Sequence, residues 1–190
     1  LSEVDPTMAN NWEPKFSGQV PIRPSKDELN IAIEKMNELT TYISKIPVFQ
    51  GIEKGDDILS TREFPTENKK DRKGHLLLRP IGQMILAKVA GRLVNKGFQL
   101  DGIFKKINRF DSDGNFEAHR PGSIFYRVTY NSERNTVFPS ETNQNFAADL
   151  LEYMIDGANQ KQRELLESKL VEYRTVGDKI KTFDGRDVDP

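Results

Sequence analysis

The chain has 190 residues, of which 36% are hydrophobic and 30% are charged, a length that fits one domain of ordinary size or two small ones. No stretch approaches the ~20 consecutive apolar residues that a membrane-spanning helix needs, which excludes a helical integral membrane protein. The chain has no cysteine, which excludes disulfides, thiolate catalysis and the common cysteine-bearing zinc sites.

The first 24 residues contain four prolines and no apolar periodicity. They predict an extended arm or linker, because each proline fixes φ and removes a backbone donor. The chain begins at Leu1 rather than at methionine, so we expect a C-terminal fragment of a longer protein. The pattern of a secretory signal is missing here, so we expect a cytoplasmic protein.

The first helix is predicted to begin after Ser25, because Ser25 and Glu28 match the S-x-x-E capping box. Apolar residues then recur at three- and four-residue steps, and Pro47 ends the pattern. These apolar residues share one helix face, which we expect to pack into the core: Leu29, Ala32, Ile33, Met36, Leu39, Ile43 and Ile46.

Residues 47–74 are predicted to be a long connection, which ends in a basic run from Lys69 to Lys73. A connection of this length without evident structure is usually functional or disordered. The basic run contains no aromatic residue, so it is not typical of a surface that stacks nucleobases. We expect its cations to contact phosphates, and a solvated loop is the alternative.

Two helices are predicted in the next part of the chain. Proline is tolerated in the first turn of a helix, so Arg79-Pro80 predicts a start there. The apolar periodicity continues to Asn95, and Gly97 is predicted to form a left-handed cap at the helix end. A short second helix is predicted over 100–110. We expect the two helices to form a hairpin whose outer faces carry six basic residues: Lys88, Arg92, Lys96, Lys105, Lys106 and Arg109.

The remaining chain is predicted to contain a turn, a small β-hairpin and two more helices. Residues 111–115 combine Asp, Asn and Gly in a turn signature. Aromatic and β-branched residues around a polar turn predict the hairpin near 124–138, and a short helix over 123–129 is the alternative. The last helices are predicted from Ser140 to Gly157 and from Gln160 to Val176.

Together these elements predict a mainly α-helical fold. We expect a single mostly helical domain over 25–176, with a small β-hairpin within it. The extended arm over 1–24 precedes this domain, and a polar tail over 177–190 follows it. No internal repeat is visible.

Few residues could carry catalysis or bind a metal. The two histidines, His75 and His119, have no ligand-like partner four residues away. Oxygen-bearing side chains alternate over 111–117, but the glycine and the bidentate acid of a calcium loop are not at their required positions. The chain has no phosphate-binding loop and no nucleophile elbow. We therefore expect no catalytic residue, metal or cofactor, and a protein that is not an enzyme.

The net charge of −1 conceals an uneven distribution along the chain. The segment from Lys69 to Arg109 holds eleven basic and two acidic residues, whereas the rest of the chain holds 17 basic and 27 acidic residues. Such an imbalance indicates a polyanionic partner. The alternative is that the basic and acidic segments face each other inside the fold.

Residues 76–83 read Leu-Leu-Leu-Arg-Pro-Ile-Gly-Gln, an apolar run that leads into Arg-Pro-x-Gly-Gln. After a long predicted helix, residues 100–108 read Leu-x-x-Ile-Phe-x-x-Ile-Asn. In these features the segment over about 45–157 resembles the DGQHR-domain family, which includes DNA sulfur-modification (phosphorothioation) regulators of the DndB type. The Asp-Gly-Gln-His-Arg motif itself is absent, and we expect it upstream of Leu1 in the parent protein.

The resemblance implies a role in controlling DNA sulfur modification. This role would be that of a transcriptional repressor that contacts DNA phosphates, or it would involve association with the modification proteins. The alternative is a protein-interaction or oligomerisation module, a homo-oligomer included, without direct DNA contact. DNA binding requires Lys and Arg on one exposed face, whereas an interaction module would have them covered by acidic helices.

The basic segment supplies the predicted DNA contacts. We expect them from the basic run, from the residue before Pro80 and from the helical hairpin. They are Lys69, Lys70, Arg72, Lys73, Arg79, Arg92, Lys96, Lys105 and Lys106. For Arg79 a structural role is the alternative, in which it pairs with an acid near the helix start.

Overall fold

The computed structural model describes the chain in seven stretches: 16–17, 20–21, 24–138, 140–157, 160–174, 180–181 and 187–188. The predicted arm over 1–24 and the predicted tail over 177–190 lie largely outside the described residues. The described chain is mainly helical, as predicted. Its helices are α1 (Lys26–Ile43), α2 (Pro47–Glu53), α3 (Ile58–Arg62), a 3-10 helix (Leu76–Leu78), α4 (Pro80–Asn95), α5 (Leu100–Ser112), α6 (Glu141–Asp156) and α7 (Gln160–Arg174).

The strands of the described residues are two residues long and pair antiparallel. They are β1 (Phe16–Ser17) with β2 (Val20–Pro21), β3 (Tyr130–Asn131) with β4 (Thr136–Val137), and β5 (Ile180–Lys181) with β6 (Asp187–Val188). The pair β3–β4 confirms the hairpin predicted near 124–138. Its first strand is shorter than the sequence indicated, since residues 123–129 form turns and Arg127 has a φ of 61°, which breaks an extended run.

Helix α4 lies at the centre of the core. It packs against α6, α5 and the 3-10 helix, and its apolar stripe is buried at Ile81, Ile85, Val89 and Leu93. Beyond α5, the rings of Phe116 and Phe125 stack with centroids 5.5 Å apart. Within the part of the chain that is described, no helix is long and apolar enough to cross a bilayer.

Helix α1 departs from the prediction that its whole apolar face packs into the core. It begins at the predicted capping box, in which the side chains of Ser25 and Glu28 bond each other's backbone N–H. Its second half packs against the core through Leu39, Tyr42 and Ile43. The large apolar residues of its first three turns are exposed instead: Leu29, Ile31, Ile33 and Met36. Periodicity predicted the stripe, but not how far the neighbouring helices cover it.

The predicted connection over 47–74 contains two short helices. Pro47 is the first residue of α2, and the side chain of Asp57 caps α3 by accepting the N–H of Ser60 at 2.8 Å. The chain then returns to the core, where the N–H of Leu76 donates to the Phe116 carbonyl at 2.9 Å. Helices of seven and five residues are too short to show a periodic apolar pattern, which is why the sequence did not predict them.

Candidate nucleic-acid interface

Residues 66–73, here called the basic loop, are tied to α3 by backbone hydrogen bonds. Thr66 and Lys69 exchange N–H···O bonds of 3.1 and 3.2 Å. The N–H of Lys73 donates to the Ser60 carbonyl at 3.0 Å, and the N–H of Gly74 donates to the Glu63 carbonyl at 2.8 Å. The loop therefore has a defined backbone and presents its side chains from a fixed position.

Acidic side chains beside α3 pair with three of the four predicted cations in this loop. The pairs are Lys69–Glu63 at 3.2 Å, Lys73–Asp56 at 3.8 Å, Arg72–Asp57 at 3.4 Å and Arg72–Glu63 at 3.6 Å. The Arg72 side chain is only 18% exposed, whereas those of Lys69 and Lys73 are 53% and 51% exposed. Lys70 is exposed and has no ion pair among the described residues.

One of these acids, Asp57, also serves the local fold. Asp57 caps α3, and the N–H of Ser60 lowers the pKa of the Asp57 carboxyl. Exposed ion pairs contribute only ~0–1 kcal/mol, because water and salt screen them. The lysines of the basic loop can therefore exchange a carboxylate for a phosphate at little cost.

Arg79 has a structural place at the turn before α4. Its guanidinium carbon lies 4.1 Å from the centre of the Phe64 ring, and Nη2 donates to the Arg62 carbonyl at 2.8 Å. Burial lowers the pKa of Arg79. This geometry favours the structural alternative for Arg79, although the partners are a buried ring and a carbonyl rather than an acid.

Arg92 and Lys96, on α4, face the acidic side of α6. Arg92 Nη1 lies 2.8 Å from Asp149 and 3.2 Å from Glu152, and Lys96 Nζ lies 2.8 Å from Glu152 and 2.7 Å from Asp156. Hydrogen bonds to Asp156 and Glu152 raise the pKa of Lys96. Here the basic and acidic segments face each other inside the fold.

The two predicted lysines of α5 lie in different surroundings. Lys106 Nζ donates to the Ile155 carbonyl at 2.5 Å, where it satisfies a carbonyl in the last turn of α6. Lys105 is exposed and has no ion pair in the described part of the chain. It lines a cleft between α1 and α5.

The nine predicted residues therefore do not form one exposed basic face. The fold brings Lys69, Lys70, Arg72 and Lys73 together on the basic loop. It places Arg92 and Lys96 against α6, and it separates Lys105 from both groups by placing it beside α1. The sequence held one signal of the α4–α6 pairing, since the acids at 149, 152 and 156 follow the same helical spacing as the cations at 92 and 96.

The motif over 76–83 forms the junction between the 3-10 helix and α4. A Cβ on Gly82 would lie 2.1 Å from the Leu76 carbonyl oxygen, a distance that no side chain can occupy. Gln83 Nε2 donates to the Leu77 carbonyl at 3.3 Å. Packing at the first turn of α4 therefore accounts for Gly82 and Gln83 of this motif.

A buried pair of titratable residues, His75 and Asp111, was not predicted from the sequence. His75 Nε2 lies 2.6 Å from Asp111 Oδ1, and Asp111 Oδ2 accepts the N–H of Val48 at 2.9 Å. The sequence placed Asp111 in a turn, whereas the structure has it buried in the last turn of α5. The pair ties α2, α5 and the 3-10 helix together. Among the described residues, no group of three His, Asp or Glu side chains could hold a metal ion.

Comparison with known proteins identifies no relative. No family model matches this chain, no curated protein matches its sequence, and no solved structure matches its fold. The resemblance to the DGQHR-domain family rests on the residues over 76–83 and 100–108.

Proposed function

We propose that this chain is a DNA-associated, non-catalytic regulatory protein of DNA sulfur (phosphorothioate) modification. The resemblance over 76–83 and 100–108 supports the link to the modification system. The observation that supports direct DNA contact is the exposure of three lysines on one fixed loop: Lys69, Lys70 and Lys73.

The chemistry of the basic loop suits phosphates rather than base edges. Lysine ammonium groups act as point charges toward phosphate oxygens, and such contacts position a protein on DNA without reading its sequence. Neutralising about three phosphates would give a slope of about −2.7 for log K against log salt concentration. A repressor built in this way would obtain its sequence preference from another part of the protein.

The test is fluorescence anisotropy of the chain with a labelled duplex across a salt series. The variant Lys69→Glu/Lys70→Glu/Lys73→Glu reverses the charge of the basic loop. We expect it to abolish binding at low salt. A matched control, Lys26→Glu/Lys35→Glu/Lys161→Glu, makes the same change in net charge at exposed positions of α1 and α7. No binding by the unaltered chain at low salt, or an equal loss in the control, would overturn the proposal.

A second candidate is an interaction module of the same modification system without direct DNA contact. It is favoured by the ion pairs that join Arg92 and Lys96 to α6. In that case the unaltered chain would not bind the duplex even at low salt. It would instead sediment as an oligomer or co-elute with the modification proteins.

A further inference from the structure

A cavity of about 260 Å³ lies where α1, α2, α4, α5 and the 3-10 helix meet. Eight of its nine lining residues are apolar. Leu77, Leu86 and Phe104 belong to the buried core and form the inner wall, whereas Leu39 and Ile43 of α1 are only partly buried. The cavity is therefore closed on the side of the core and opens to solvent beside α1.

The packing of the helices holds this cavity open. The ring of Phe104 is fixed by its stacking on Tyr42, with centroids 5.4 Å apart. On α4 the cavity is lined by Ala87 and Ala90, which are three residues apart and lie on the same helix face. Their short side chains leave the space between α4 and α1 unfilled, so the cavity exists before any ligand binds.

The size and the apolar lining of the cavity fit a small organic molecule. An ordered water needs two to four polar partners, whereas Gln83 is the one polar residue among those that line the cavity. An apolar cavity of ~150 Å³ engineered in another protein binds benzene. The present cavity is larger than that one, but it is below the ~300–1,000 Å³ of sites for drug-sized ligands.

The amide of Gln83 supplies a hydrogen-bond acceptor at the mouth of the cavity. Gln83 is exposed, and its Nε2 donates to the Leu77 carbonyl at 3.3 Å. This bond orients the amide, and within the described residues no group donates to its Oε1. None of the lining residues is charged. A neutral ligand with one hydrogen-bond donor matches this combination.

We propose that this cavity binds a small neutral aromatic molecule, about the size of indole, which donates one hydrogen bond to Gln83 Oε1. The rings of Phe49 and Phe104 line the cavity, and aromatic rings pack favourably against one another in offset or edge-to-face arrangements. Binding removes apolar surface of both partners from water. The cavity shares no residue with the basic loop, so this inference does not depend on the proposed function.

The test follows the methyl groups of Leu39 and Ile43 and the side-chain amide of Gln83 by NMR in the full chain, with indole as the probe. We expect saturable shifts of these signals, with a Kd below ~1 mM. The second probe is 1-methylindole, which has the same ring system without the N–H donor. It should bind about threefold to tenfold more weakly, because it cannot donate to Gln83.

Two variants connect the signals to the cavity. Ala87→Leu extends a larger side chain into the space and should weaken indole binding about tenfold or more. Gln83→Met keeps the length of the side chain but has no amide acceptor, so it should bind indole and 1-methylindole alike. Ser168→Leu adds an apolar side chain at an exposed position of α7 and should leave the affinity unchanged. Circular dichroism checks that each variant keeps its helices.

Three results would overturn this proposal. One is a linear, non-saturable shift, and another is an indole affinity that Ala87→Leu leaves unchanged. The third is sedimentation as a dimer that indole or Ala87→Leu dissociates, which would assign the cavity to an apolar side chain of a second copy.

Two further comparisons separate the parts of the proposal. Equal affinities of the unaltered chain for indole and 1-methylindole would overturn the hydrogen bond to Gln83. Failure of the DNA proposal gives a different result, since indole would still bind the cavity of a chain that did not bind the duplex.

Discussion

At the residue scale, close contacts of single residues explain the motif over 76–83. Gly82 lets α4 approach the 3-10 helix, and Arg79 covers the ring of Phe64. Both residues are held by their packing, so their presence in the motif is accounted for by the fold alone.

Gly82→Ala should destabilise the chain, because its Cβ would lie 2.1 Å from the Leu76 carbonyl oxygen. Moving α4 away to relieve this contact should cost about 1–3 kcal/mol. Gly102→Ala, inside α5, meets nothing within 4 Å and should instead stabilise by about 0.5–1 kcal/mol. Urea denaturation measures both, and equal effects would contradict the packing role of Gly82.

His119 should make stability depend on pH. Burial, with a smaller contribution from nearby Arg120, lowers the pKa of His119 below its ordinary 6.5. The unfolded chain therefore binds the proton more readily, so the stabilisation is complete above pH 6.5 and is lost as the pH falls through the folded-state pKa. His119→Gln should reduce the slope of unfolding free energy against pH in that range. Parallel curves for the two proteins would show that His119 titrates alike in both states.

At the scale of elements, ion pairs join two cations of the basic segment, Arg92 and Lys96 of α4, to the acids of α6. Glu152 is 8% exposed and accepts from both Arg92 and Lys96. A charge at this depth is stabilising only while its partners remain. The two helices also share the most extensive contact in the described fold, so charge and apolar burial act on the same interface.

Glu152→Gln should lower the free energy of unfolding by about 1–3 kcal/mol, because two cations lose the carboxylate that they share. The effect should shrink as salt is added, since salt screens the remaining charges. Glu133→Gln, at an exposed position of the β3–β4 turn, should change stability by less than about 0.5 kcal/mol. Thermal unfolding at low and high salt distinguishes the two variants.

At the scale of the whole molecule, the excess of basic residues over 69–109 does not produce one exposed basic face. The acids of α6 pair with Arg92 and Lys96. The acids beside α3 pair with Lys69, Arg72 and Lys73 of the basic loop. Ion pairs within the described fold involve five of the segment's eleven basic residues, and the exposed Lys70 and Lys105, unpaired among the described residues, lie in different places, one on the basic loop and one beside α1.

Arg92→Gln/Lys96→Gln should therefore leave the salt slope of duplex binding unchanged, because ion pairs with Asp149, Glu152 and Asp156 hold these side chains against α6. The lysine variant of the basic loop should instead abolish duplex binding already at low salt. Anisotropy across a salt series measures both, with circular dichroism as the check that the helices remain. A shallower salt slope in Arg92→Gln/Lys96→Gln would mean that α4 contacts DNA phosphates after all.

Much of the helical fold followed from local chemistry. The capping box at Ser25, the proline at the start of α4 and the glycine at the end of α6 act within one or two turns, so the sequence predicted α1, α4, α5, α6 and α7. The short helices α2 and α3 were missed, because seven and five residues carry no visible period.

The sequence by itself determined the helices, the position of the small hairpin and the uneven charge, since these depend on residues close together in the chain. Tertiary structure alone decided which charges meet. Arg92 and Asp149 are 57 residues apart, and Val48 and Asp111 are 63 apart, so no local pattern reports their contact. The same holds for the exposed turns of α1 and for the cavity between α1 and α4. The physical reason is that burial and ion pairing depend on the packing of distant elements, which residue spacing does not encode.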